Sequence, residues 1–352
     1  MLKGIHVTIV VELFVGILIF FSFTAYVLKS KSLGNSGESV RDIVIPMLEL
    51  VPKTSFIFPW TFITGAFTDV NIIQFLIGAA NIFFGTAYTE KQWNLEENVD
   101  GIQFFSAGFS ETITYLLVSA FFTNLFTCLI KVIVATASSS YDPLVPVNHG
   151  SFVFLMPFLV VLKQYSPEHQ VKFLNLRVKQ IPFIVLVLSL FISIVLQKLT
   201  PFLPIWNSFL VSWTYLRFYQ RLNVINDVLP DNTKNSIQGD ASDTFNFMQF
   251  FPAPLHKYLK PLCRIFYHLL ILFGLIKGFN DDERESGNLR SIRRINKTSQ
   301  SRDIAERRRQ VALKVLEERL GNDEPQSPED QAVDNHKTEE TTKTEVSVAQ
   351  SV

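Results

Sequence analysis

Cysteine is scarce: 352 residues contain two, Cys128 and Cys263. Two distant thiols make neither a disulfide framework nor a zinc site. Net charge is absent as well, with 32 basic residues against 32 acidic ones. Without a positive excess to hold a phosphate backbone, nucleic acid is excluded as a partner. Histidine is thin and uneven. The chain has His6, His149, His169, His256, His268 and His336, and none between 170 and 255. There is no glycine-rich phosphate loop and no series of intramembrane acids suited to a proton relay. Glu12 is the one acid inside an apolar run, which is too little for a metal site. No cofactor or metal is expected.

Apolar residues are abundant, at 48% of the chain with 33 Phe. A bilayer is crossed by about 20 apolar helical residues, and six runs qualify: 7–28, 70–88, 113–134, 147–162, 181–196 and 203–216. The first leads into Lys29, Ser30 and Lys31 rather than a small-x-small cleavage site, so it reads as a retained helix. The fourth is short, covering roughly 24 Å against about 30 Å of hydrocarbon, and needs shielding by its neighbours. Lys131, near the end of the third, is expected to snorkel. Residues 43–67 contain Pro46, Pro52 and Pro59, which break a continuous span. Their Ile, Leu, Phe and Trp60 suit an amphipathic loop at headgroup depth.

Past Arg217 the chain turns polar. In 261–279, Arg264, His268 and Lys277 leave too short an apolar run to span, so an interfacial amphipathic helix is expected, with Cys263 a candidate for acylation. Residues 304–320 carry a helical stripe of Ile304, Val311, Ala312, Val315, Leu316 and Leu320 opposite Arg307, Arg308 and Arg309. That pattern fits a partner groove or an anionic surface, or else a solvated helix balanced by Asp303, Glu306, Glu317 and Glu318. The residues beyond are rich in Glu, Thr and Ser and read as disordered. The organisation is therefore a membrane domain at 1–220, a juxtamembrane segment at 221–280, a helical tail at 281–320 and an acidic disordered end at 321–352. Basic residues in the short loops nearly balance. Arg217 and Arg221 break the tie and put the C-terminus, and with an even span number the N-terminus, in the cytosol.

Six local patterns occur in order. They are Pro59-Trp60-Thr61 before the second span, Gly85 through Glu90 to Trp93 at its exit, and His149-Gly150 entering the fourth. SWTYLRFYQ at 212–220, Phe250-Phe251-Pro252, and AERRRQVALKVLEERL at 305–320 complete the set. Together they resemble the transmembrane protein 115 family, a Golgi branch of the rhomboid-like proteins. The resemblance implies an all-α integral membrane fold: a six-helix rhomboid-like bundle with an amphipathic first loop and a cytosolic helical and disordered tail. It further implies residence in the Golgi membrane with cycling through the endoplasmic reticulum. The implied role is in retrograde transport between those compartments, with association with the conserved oligomeric Golgi tethering complex and possible transmembrane clients.

A rhomboid protease places a Ser in a Gly-x-Ser-Gly pattern at the start of its fourth span and a His in its sixth. Here the matching stretch is Val147-Asn148-His149-Gly150, with His149 at the Ser position. Ser151 is one residue on, about 100° around a helix. The sixth run has no histidine, and the positions matching the oxyanion-stabilising residues are Gln74 and Gly78. The chain thus reads as a pseudoprotease. His149 is expected to bond a neighbouring helix, with Asn148 sharing its network. Glu90 with Trp93, and Trp213 with Arg217, read as helix-end carboxylate, interfacial aromatics and a snorkelling cation, and Pro59 and Trp60 as a loop motif. Arg307, Arg308, Arg309, Val311, Val315 and Leu316 are the candidate partner surface. The alternative is a membrane enzyme or transporter with a site around His149.

Overall fold

The computed structural model describes residues 8–36, 43–96, 107–137, 147, 149–171, 176–224 and 235–322. The chain divides into two compact units, Met1–Lys297 and Thr298–Val352. Four helices are long and apolar enough to cross a bilayer, over Ile9–Ser32, Ile72–Asn94, Gly108–Ala137 and Val178–Leu196, and a shorter apolar helix covers Gly150–Tyr165. The fold is mostly helical, with two short antiparallel ribbons among the described residues.

The first helix, α1 (Ile9–Ser36), buries Val11, Phe14, Leu18, Ser22, Ala25 and Lys29. That spacing is the stripe of a helix packed along one side. Its other side exposes Leu13, Ile19, Phe20 and Phe23, which is tolerable only against lipid. After a proline-broken stretch come a short α2 (Thr61–Thr64) and a single tight turn, Gly65–Phe67. Then α3 (Ile72–Glu96) and α4 (Ala107–Ala137) form the long central pair. Helix α4 buries Thr112, Ser119, Thr123, Asn124 and Thr127 along one face. Small and hydroxyl residues suit close helix contact where lipid offers no hydrophobic drive inward.

A tight turn, Gly150–Phe154, starts α5 (Leu155–Tyr165). Helix α6 (Ile181–Leu196) takes the same bounds as the fifth apolar run. It is inside-out by soluble standards: Ser189 and Ser193 are buried, while Phe191, Ile194 and Val195 are each more than 60% exposed. Helix α7 (Phe202–Thr214) follows and widens into a looser π-type turn over Tyr215–Tyr219. Aromatic side chains fill the centre. Phe154 meets Phe14 and Phe67 with ring centroids 6.5 and 5.2 Å apart, and Tyr115 lies 5.5 Å from Trp93 and 5.4 Å from Tyr215.

Strand β1 (Gln170–Val171) pairs with β2 (Leu176–Arg177), and β3 (Arg221–Val224) pairs with β4 (Asn235–Gln238) in the register Arg221↔Gln238. Two later elements start earlier than the sequence pattern suggests. Helix α8 spans Ala253–Leu272 and not 261–279. Pro254 falls in its first turn, where a missing N–H costs nothing, and Gly274 at φ 67° ends it. Helix α9 spans Asp281–Asn322, starting well before 304. Asp281, Asp282 and Glu283 favour its N-terminal end electrostatically, and Glu283 accepts the Asn280 backbone N–H at 2.9 Å. The expected disordered end at 321–352 lies, apart from its first two residues, outside the described residues.

Helix α3 meets α5 through a glycine. A Cβ at Gly85 would lie 2.3 Å from the buried Phe158 ring, whereas at Gly16 it would meet nothing within 4 Å. Gly85→Ala should therefore lower thermal stability in detergent by about 1–3 kcal/mol through overpacking. Gly16→Ala should leave it unchanged or raise it; equal melting of the two variants would contradict this packing.

Candidate functional site

The turn entering α5 brings together the positions that the rhomboid comparison singled out. Ser151 is fully buried, and its hydroxyl donates to Asp69 Oδ2 at 2.5 Å while its backbone N–H donates to Oδ1 at 3.2 Å. Gln74 Nε2 donates to the same Oδ1 at 2.7 Å. The loop holding Asp69 is tied to α1, where Ser22 accepts the Asp69 N–H at 3.0 Å and donates to Phe67 O at 3.1 Å. Two glycines make room. Gly150 sits at φ +45°, and a Cβ there would be 1.9 Å from Asp69 Oδ1; one at Gly78 would be 1.8 Å from Ser151 Oγ. So Ser151 does not aim away, as its one-residue offset suggested. It points at Gly78, and Gln74 stands beside it.

This cluster holds a hydroxyl as a donor. Asp69 takes three hydrogen bonds, and burial raises its carboxyl above the usual value while the bonds from Ser151 and Gln74 pull it back. Asp69 escaped the sequence reading because it lies in a loop outside every apolar run. A cavity of about 180 Å³ shares Gln74 with the cluster and is walled by Lys29, Glu49, Thr68 and Asn71. Lys29 and Glu49 form a buried ion pair at 2.5 Å.

His149 is buried, and its Nε2 bonds Asn124 Oδ1 at 2.7 Å; Asn124 Nδ2 in turn donates to Phe62 O at 2.7 Å. Because the Asn124 oxygen accepts, His149 Nε2 carries the proton, and Nδ1 has no partner among the described residues. The expected bond to a neighbouring helix is present; Asn148 lies outside the described residues. Among the described residues no three His, Cys, Asp or Glu side chains gather as a metal group.

Several readings change. Trp93 is not interfacial: it is fully buried, edge-on to Tyr115. Glu90 is 5% exposed and accepts from Thr8 at 2.5 Å. Trp213 donates to Phe245 O at 3.2 Å and packs on Phe247 and Phe218, so it belongs to the end of the bundle rather than an aromatic belt. Arg217 does not snorkel. Its guanidinium is buried and donates to Asp240 O and Ser242 O, both at 2.6 Å. Lys131 is buried too. For Glu90, Trp213 and Arg217 the polar partner lies within the protein. Trp60 is 48% exposed, and its ring N–H donates to Met47 O at 2.9 Å; Pro59 O accepts the Phe62 N–H at 3.2 Å in the turn entering α2.

At the other end of α5 lies a second polar knot that the sequence did not reveal. Asp240 is buried and accepts from Gln164 at 2.8 Å and from Arg294 at 2.7 Å. Burial would raise its carboxyl, but the Arg294 charge and the bonds from Gln164, Arg294 and Ser242 outweigh that and hold it well below the ordinary value. One residue before Gln164, Lys163 is buried with its Nζ 3.1 Å from the Phe250 ring centre.

Removing the Ser151 hydroxyl leaves a buried carboxylate one bond short, so Ser151→Ala should destabilise by about 1–3 kcal/mol in a thermal assay. A second prediction concerns pH. A depressed folded-state value stabilises fully above the unfolded value near 4 and loses that contribution as pH falls below it. The wild-type chain should therefore lose stability below about pH 4 more steeply than Asp240→Asn. Parallel pH profiles would show that Asp240 is not the coupled group.

The sequence profile described as "Eukaryotic integral membrane protein (DUF1751)" matches residues 12–322. Among curated proteins, the chain is 28% identical to the transmembrane protein 115 homolog of Saccharomyces cerevisiae, over 80% of this chain and 82% of that one. It is 26% identical to rhomboid-like protein 19 of Arabidopsis thaliana, over 79% and 82%. Transmembrane protein 115 of Mus musculus is 33% identical over 51% of this chain and 48% of its own. No solved structure matches significantly. The chain accordingly belongs to the eukaryotic integral membrane protein family DUF1751, that of the transmembrane protein 115 relatives its motifs resemble.

Proposed function

We propose that the chain is a non-catalytic, multi-pass Golgi membrane protein that serves retrograde transport from the Golgi to the endoplasmic reticulum. Its bundle has six spans, α7 with its π-type extension being the sixth. Both termini lie in the cytosol, and the protein cycles through the endoplasmic reticulum. The bundle fixes position in the bilayer and holds transmembrane clients; the tail recruits the conserved oligomeric Golgi tethering complex. The observation that carries this reading is the exposed surface on α9, where Arg307 and Arg309 stand near Val311, 63% exposed, and Leu313, 52% exposed. A charged helix with uncovered aliphatic side chains has the makings of a helix-in-groove ligand. The side chains of Arg308, Val315 and Leu316 lie outside the described residues.

Two features favour a non-catalytic bundle. The hydroxyl nearest a rhomboid nucleophile is engaged with Asp69, and α7 contains no histidine to serve as its base. The second reading, a membrane enzyme or transporter working around His149, is favoured by that ring's buried Nδ1, which has no partner among the described residues, and by the polar cavity nearby.

Deleting residues 298–322 should abolish capture of tethering-complex subunits from detergent extracts while leaving membrane integration unchanged; undiminished capture would refute the assignment to the tail. His149→Ala should preserve trafficking, and a complete loss of function in a correctly localised, stable variant would instead support the second reading.

A further inference from the structure

Helix α8 presents three distinct sectors at 100° per residue. The first holds His256, Leu259, Cys263 and Leu270, the partly buried residues of the helix. Leu259 packs against the central apolar cluster, and His256 Nε2 lies 3.0 Å from Phe251 O. This edge pins the helix to the bundle. The second sector is apolar and uncovered: Tyr258 is 69%, Leu262 52%, Ile265 56% and Phe266 62% exposed. The third holds Lys257, Lys260, Arg264 and His268, all exposed and nearly opposite the apolar sector. No Asp or Glu occurs anywhere in 244–280.

We propose that α8 is a binding site for anionic phospholipid: its apolar sector enters the acyl boundary of the bilayer that holds the bundle, and Lys257, Lys260 and Arg264 hold the acidic headgroups. Exposed apolar side chains on a helix docked to a membrane bundle find the adjacent lipid without any further partner. The opposing basic sector selects the sign of the surface, because a polar face serving solubility alone would mix both charges, as α9 does with Arg307 and Arg309 among its acids. The docked edge fixes the rotation of the helix, so both sectors are aimed before lipid is met. Cys263 lies on the docked edge and takes no part. Assignment to the cytosolic leaflet rests on the proposed orientation; lipid selectivity does not.

The test is hydrogen exchange of the purified full-length chain in nanodiscs, either of phosphatidylcholine alone or of phosphatidylcholine with phosphatidylserine. Symmetric discs make the result independent of orientation. Exchange across 253–272 should slow by on the order of fivefold or more when phosphatidylserine is present. That difference should vanish in K257E/K260E/R264E while α4 exchange, reporting the bundle, stays as in wild type. Leu262→Ser with Phe266→Ser should remove protection in both lipids. Equal protection in both lipids, or protection surviving the charge reversal, would overturn the proposal. Protection that rises with protein concentration rather than lipid charge would also overturn it, since a second copy would then cover the face.

Discussion

Inside a bilayer no water completes an unmade hydrogen bond, and burial of apolar side chains gains little because lipid is as apolar as they are. Cohesion must come from close packing and from polar groups that satisfy one another. Several contacts inside this bundle follow that constraint. Its buried serines, threonines and asparagines line α4, α6 and α7, and its largest apolar side chains on α6 face outward. Ser208 donates to Val153 O at 2.6 Å, Asn207 reaches Thr127 at 3.1 Å, and Asn124 holds both Phe62 O and His149. These bonds fix the mutual rotation of helices that greasy surfaces alone would leave free to slide.

The Ser151–Asp69–Gln74 cluster shows the same constraint acting at the turn into α5. A serine turned inward in an apolar bundle needs an acceptor, and Asp69 supplies it from a loop rather than a helix. Two glycines, at 78 and 150, exist in this arrangement because the carboxylate and the hydroxyl occupy the space a methyl would need. The geometry makes this turn a clamp joining α1, α3 and α5.

Much of the membrane part was legible in the sequence. The run 181–196 is continuous and apolar, and the structure reproduces it residue for residue. Elsewhere the C-terminal ends of α1, α3, α4 and α5 run past the apolar stretches, to Ser36, Glu96, Ala137 and Tyr165, because polar ends such as Gln92 and Asn94 remain helical once a neighbour packs against Trp93, while α1, α3 and α5 start later than those stretches. The polar pairings were not legible. Asp240 acquires its meaning only when α5, the loop after β4 and α9 converge, and no local pattern links Gln164 to Arg294. Arg217 and Trp213 carry the composition of interfacial anchors, yet the folded chain offered them carbonyls first. For α8, hydropathy marked the amphipathic stretch but placed it too late, at 261–279, because the helix begins at Ala253 with Pro254 in its first turn and carries Pro261 inside it.

The Arg294–Asp240 pair also defines where the tail ceases to be separable. Residues 281–297 look soluble by composition, yet Asn288, Ser291 and Arg294 each bond the 240–244 loop. A protease cut or splice junction upstream of Arg294 would strip the countercharge from a buried acid and so unsettle the bundle itself. One placed past Lys297 would detach only what hangs beyond it. The boundary between anchor and appendage therefore lies a full four turns inside a helix, not at its start.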